Sequence, residues 1–160
     1  MIASVLTVML GVSSITLGLM SGIVFAYANS VMPGLARAGD RTFVEACRHM
    51  NKVITNPAFL VVSNLALVAT LAAAALGFLA GDFVVGVFSM VAVLAYGTTL
   101  AVTFGGNLPL NTRLISAELG DAEDYALARR NFEVTWTRLN LVRTATCIVA
   151  LCSAVTALVF

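Results

Sequence analysis

Four apolar stretches, each long enough to cross a lipid bilayer, leave this chain very few ways to fold. A membrane-spanning helix needs about 20 apolar residues, and segments 2–31, 57–80, 83–104 and 139–160 all meet that length. Of the 160 residues, 60% are hydrophobic and 11% charged, with a mean hydropathy of +0.98. A water-soluble core of this size could not hide that much apolar surface. The expected fold is therefore all-α, a four-transmembrane-helix bundle formed as one domain over 1–160. The first segment is longer than a cleaved signal peptide and lacks its basic start, so it reads as a retained helix. A net charge of +1 gives no reason to expect nucleic acid as a partner.

The charges are concentrated. All of the nine Lys and Arg and eight Asp and Glu residues except Asp82 fall within 37–52 or 113–143. The connections between spans 1 and 2 (32–56) and spans 3 and 4 (105–138) are long, whereas Gly81-Asp82 makes a tight hairpin between spans 2 and 3. Both long connections must then share one membrane face, opposite both termini. Because they carry every basic residue, counting Arg143 at the lip of span 4, the positive-inside rule puts them in the cytoplasm. The expectation is an integral protein of the cell inner membrane with both termini outside.

Each long connection carries the signals of an amphipathic helix. Thr42 with Glu45 forms a capping-box pattern, and Phe43, Cys47, Met50 and Ile54 follow at helical spacing. Asn56-Pro57 closes that helix and opens span 2, since proline suits a first helical turn. Asp121 caps a second helix running through Ala126, Arg130 and Trp136 into span 4. Each half thus reads as span, proline turn, charged helix and span, which suggests a parallel two-fold repeat.

Several side chains mark faces inside the bundle. Ser14, Gly18, Gly22, Ala26 and Ser30 form a small-residue ridge on span 1, suited to packing within one chain or between copies in a homo-oligomer. On span 3, Ser89, Tyr96, Thr99, Thr103 and Asn107 lie within about 80° of arc. They either line a polar hollow or satisfy neighbouring helices. On span 4, Glu133, Trp136, Asn140, Arg143 and Cys147 share an arc of the same width. Arg143 either snorkels to headgroups or turns inward to pair with Glu133 or an anionic oxygen. The stretch GGNLPLN (105–111) is read as a turn ending span 3, placing Asn107 and Asn111 level with Asn51, Asn56, Trp136, Asn140 and Arg143. Irregular backbone at membrane depth survives only where protein buries it or a cavity adjoins it. One wall of a pocket is therefore expected there.

No ligand set for a metal is apparent. His49 is the only histidine, and Cys47, Cys147 and Cys152 show no CxxC spacing and read as small hydrophobes. Haem held by His49 or a methionine is disfavoured. Proton-coupled export is disfavoured as well, because spans 1–3 have no ionisable residue between their ends.

The stretches FAYANSVMPGL (25–35), MNKVITNPAF (50–59), GNLPLN (106–111) and FEVTWTRLNLVRT (132–144) together resemble the anthrone oxygenase-like family of small four-helix membrane proteins, in order and over nearly the whole chain. The resemblance implies an O₂-dependent conversion of an anthrone to an anthraquinone with no metal or flavin, and so no cofactor. Asn51, Asn56, Pro57, Asn107, Pro109, Asn111, Trp136, Asn140 and Arg143 match its motifs. His49 lies beside one of them but outside its pattern.

Such chemistry asks for a base, donors for the enolate oxygen and an apolar slot. The donors expected are Arg143, Asn140 and Asn107. Glu133 is the preferred base over His49, and Trp136 and Tyr96 would flank a flat substrate. The function implied is a membrane oxidoreductase acting on a hydrophobic aromatic molecule at the inner leaflet. The alternative is a non-catalytic membrane module that binds a lipid or partner protein through the same polar region.

Overall fold

The computed structural model describes residues 2–160, and every regular element among them is helical. There are five: α1 (Ile2–Leu35), α2 (Asp40–Ile54), α3 (Pro57–Leu79), α4 (Phe83–Ser116) and α5 (Ala122–Val159). All but α2 are long and apolar enough to cross a membrane. The protein is thus a membrane protein with the expected four helices. At 1.5 Å per residue the 38 residues of α5 reach about 57 Å, well past a hydrocarbon core of about 30 Å. The apolar half of α5 is by itself long enough to span, which leaves its charged first half free to project beyond.

The four long helices pack in a ring. α1 lies against α3 and α5, and α4 lies against the same two. One buried cluster sits at mid-height around Leu17, Met20, Ala92, Tyr96 and Cys147. A second lies under α2 at the charged end, where Phe43, Val44 and Cys47 meet Leu114, Phe132 and Trp136. The face of α2 expected to be buried is the one that is buried, although Ile54 at its end stays half exposed.

The GGNLPLN stretch does not stop its helix. α4 runs on to Ser116, so the connection to α5 shrinks to a few residues before Asp121. Pro109 has no N–H, and its ring would collide with the carbonyl four residues back. The chain escapes by widening one turn. Residues Thr103–Asn107 are π-helical, and the Leu108 N–H donates to the carbonyl of Thr103, five residues back. The same device operates before Pro33, where Tyr27–Val31 is π-helical and the Met32 N–H reaches Tyr27 O. Span 1 therefore also continues, to Leu35. The matched π turns in α1 and α4 give the two halves a common plan. The halves differ at one place: α2 and α3 are separated by a corner, whereas α5 runs through without one.

Helix starts follow local chemistry, with one correction. Asp121 caps α5, its carboxylate accepting from the N–H groups of Glu123 and Asp124, and Asp124 returns a bond to Asp121 N. Asn56 caps α3, accepting from Phe59 N at 3.0 Å while its own amide donates to Val53 O. The expected Thr42–Glu45 box is not formed. α2 begins earlier, with Gly39 as its cap, and Glu45 is drawn instead to Arg41 at 2.8 Å and to the Tyr125 hydroxyl. At the far end Gly81 takes φ 77° in the hairpin, and Asp82 caps α4 through Val85 N. There the helices nearly touch: a Cβ on Gly77 would fall 2.8 Å from Gly86 N.

The small-residue ridge of α1 divides. Gly18 faces Leu151 of α5, whereas Gly22, Ala26 and Ser30 lie on the open surface.

Candidate functional site

Where the two π turns widen their helices, the charged end of the bundle holds a recess of about 80 Å³. Its wall includes Tyr27 from α1, Asn51 from α2, Thr103, Asn107 and Asn111 from α4, and Trp136, Asn140 and Arg143 from α5. The apolar remainder comes chiefly from Ile23, Val24, Ile54 and Phe59.

Hydrogen bonds fix which end of each amide is engaged and which is left free. Asn140 Nδ2 donates to Val24 O at 3.0 Å, and Asn107 Nδ2 donates to Trp136 O at 3.3 Å. A carbonyl only accepts, so in both residues the NH₂ must face the backbone. Both amide oxygens are left buried and without a partner, on residues each 1% exposed. Arg143 Nε is likewise enclosed and unpartnered. A buried polar atom left unpaired costs about 1–3 kcal/mol, so three on residues lining one recess mark it as the candidate site. Asn107 and Asn140, expected as donors, have their NH₂ groups engaged with backbone carbonyls. The polar atoms left free are two acceptors and the Arg143 Nε–H.

Trp136 is held from several sides. Its Nε1 donates to Asn111 Oδ1 at 2.8 Å, and its ring lies 5.7 Å from Tyr27 and 5.8 Å from Phe132. Asn111 is thus committed through its oxygen to orienting the indole. Gly106 keeps this seam close: a Cβ there would fall 2.6 Å from a methyl of Leu139.

Not every residue singled out from sequence reaches the recess. Glu133 shares an arc with Arg143 but does not line it. Arg129, four residues earlier, holds its carboxylate at 2.7 Å and also binds Asp40 at 3.0 Å. His49 is exposed on α2, beside a separate surface depression with Met50 and Val53. Tyr96 is buried deeper, its hydroxyl 3.0 Å from Ser63 Oγ. Thr99 pairs with Thr146 at 2.6 Å. Most of the polar stripe on α4 therefore ties helices together, and only its last members face the hollow. Asn56 is spent on its cap. Among the described residues, no cluster of three or more His, Cys, Asp or Glu is placed to hold a metal ion.

Tyr27, Ile23, Ile54 and Phe59 line the recess without having been expected there, whereas Thr103 belongs to the stripe expected to line a hollow or satisfy neighbouring helices. Tyr27 and Phe59 do fall within the motif stretches, and Thr103 shares the arc of Asn107. At Cys47, on the buried face of α2, burial and then the nearby Glu133 carboxylate push the thiol up to about 12.

Comparison with known proteins bears on one point. The family model described as anthrone oxygenase matches residues 52–153. This stretch holds Asn107, Asn111, Trp136, Asn140 and Arg143. No curated protein and no solved structure matches the chain.

Proposed function

The chain belongs to the anthrone oxygenase family, and from that premise we propose that its recess binds an aromatic ketone of the anthrone class, at the inner leaflet, and promotes its reaction with O₂. One observation carries the reading. Two buried amide oxygens and one guanidinium N–H, all without protein partners, belong to residues that line the same hollow.

Their polarities divide the work. Arg143 Nε–H meets the ligand's carbonyl oxygen and stabilises the negative charge that develops there on enolisation. A nearby cation lowers the ligand's pKa by favouring its charged form. The wall includes no carboxylate, so the proton lost from the ring carbon passes to water in the recess. The enolate then supplies electrons to O₂, and a C–O bond forms at that carbon. Protonation gives a hydroperoxide, whose O–H the amide oxygens of Asn107 and Asn140 can accept. Loss of water leaves the second carbonyl, so anthrone and O₂ become anthraquinone and water. Trp136 and Tyr27 offer the rings an aromatic surface.

The test uses purified protein in vesicles, supplied with anthrone under air and followed by anthraquinone absorbance. Wild type should accelerate conversion over empty vesicles, and Arg143→Gln should return it towards the uncatalysed rate. Equal rates with and without protein would overturn the oxygenase reading. Binding without acceleration would favour a module that holds an aromatic or lipid molecule without transforming it.

A further inference from the structure

We propose that ligands enter the recess sideways, from the lipid, through a portal between α1 and the α2–α3 corner that Ile23, Ile54 and Phe59 close. This rests on the recess being a ligand site, and it names the route and the residues that govern access.

Size gives the first reason. About 80 Å³ is smaller than the cavity of about 150 Å³ that accepts a single benzene ring. Three fused rings do not fit unless a wall moves, yet the polar atoms they would meet are already in place. The wall that can move is apolar. Ile23, Ile54 and Phe59 line the recess on one side and, on the other, an outer groove of about 290 Å³ between α1 and α3. Three side chains thus form a single partition between the polar hollow and a larger apolar trough. The trough's outer members include Leu19, Ala58 and Val62, which suit contact with acyl chains.

Backbone gives the second reason. The partition stands where α2 ends at Ile54 and α3 begins at Pro57, so Ile54 is a terminal residue beside a two-residue break. Hinges favour such element ends. Ile54 also borders the outer depression that contains Tyr27 and His49, so it lies at the meeting of three spaces. The opposite half of the bundle has no counterpart, because α5 runs unbroken through the same level. A ligand bound with its oxygen at Arg143 would extend its rings through the opened partition into the trough.

The experiment places a cysteine at Thr103, on the recess wall, in a Cys152→Ser parent. The other two cysteines are buried, and the parent's labelling is subtracted. Protein in vesicles is treated with membrane-dissolved pyrenyl maleimide or with water-confined sulfonatoethyl methanethiosulfonate. Thr103→Cys should label from the membrane, and adding Phe59→Ala or Ile23→Ala should raise that rate by about fivefold or more, as the open fraction grows. Either of the two gate variants suffices, so one that folds poorly leaves the other to report. The portal is overturned if neither gate substitution changes the membrane-side rate, or if the sulfonate reagent labels faster than the maleimide. Added 9,10-anthraquinone should protect Thr103→Cys. Gated labelling without that protection retains the portal and removes the aromatic ketone as ligand, so the two readings fail separately.

Discussion

Arg48 and Arg129 perform the same task in opposite halves of the molecule. Arg48, on α2, donates from Nε to Leu114 O at 2.9 Å and from Nη2 to Ile115 O at 2.8 Å, with Ala117 O as a third acceptor, at the end of α4. Arg129, on α5, donates to Ala36 O at 2.8 Å and Ala38 O at 2.9 Å, just past the end of α1. Each charged helix of one half thus caps the free carbonyls of a span in the other. This exchange, with the matched π turns before Pro33 and Pro109, gives the repeat plan a physical basis.

The exchange predicts local effects. A hydrogen bond to a charged group contributes about 1.5–3 kcal/mol, and about 1.4 kcal/mol is tenfold in an equilibrium. Arg48→Gln should therefore speed amide hydrogen exchange at 114–117 by about tenfold or more, leaving 33–38 unchanged. Arg129→Gln should do the reverse. Uniform acceleration at both ends would argue against separate caps.

Packing at the hairpin gives a second prediction. Gly77→Ala would force a methyl against the Gly86 backbone, and such overpacking costs about 1–3 kcal/mol. Gly97 has open space at its Cβ position, so Gly97→Ala should be neutral or stabilise by about 0.5–1 kcal/mol through helix propensity. Unfolding in a mild detergent titration would show the difference.

Much of the framework was legible because its causes are local. Hydropathy located the spans, and Asn56-Pro57 and Asp121 marked two helix starts through their own side chains. Pro33 and Pro109 were ambiguous, since a proline can end a helix or sit behind a widened turn. The packing of Gly106 on Leu139 and the hydrogen bonds joining Asn107 and Asn111 to Trp136 accompany the second outcome at Pro109. Thr42 misled because Gly39 allowed α2 to begin sooner and Arg41 lay four residues before Glu45. Of the residues read from sequence, Asn51, Asn107, Asn111, Trp136, Asn140 and Arg143 line the recess, whereas His49, Asn56, Tyr96 and Glu133 do not. Which way an amide points depends on carbonyls from other parts of the fold, Val24 and Trp136. Glu133 fell on the right arc, yet Arg129 at a spacing of four was the stronger signal.

The indole bond to Asn111 yields a third prediction. Trp136→Phe leaves Asn111 Oδ1 without its donor and should lower stability by about 1–3 kcal/mol. Asn111→Leu in the same chain removes the stranded acceptor, so the double variant should cost less than the two single changes together. Thermal unfolding of all four proteins in one detergent would measure the coupling.

Cys47 yields a fourth, in pH. With the thiol at about 12, the reactive thiolate is about one part in ten thousand at pH 8. Deprotonation lies above that pH, so alkylation by iodoacetamide should rise about tenfold per pH unit through pH 9 and 10 without levelling. A plateau near pH 9 would mean an exposed thiol of ordinary acidity. Peptide mass spectrometry after timed alkylation would tell them apart.

The convergence of Asn107, Asn140 and Arg143 on one hollow is tested most directly through Trp136, the only tryptophan in the chain and part of that wall. Vesicles containing the protein would be titrated with 9,10-anthraquinone while its fluorescence is recorded. Saturable quenching in wild type, weakened by about tenfold or more in Arg143→Gln for loss of one charged hydrogen bond, is the predicted result. Quenching that never saturates and is identical in both proteins would show the quinone merely dissolved in the bilayer, and would contradict the site.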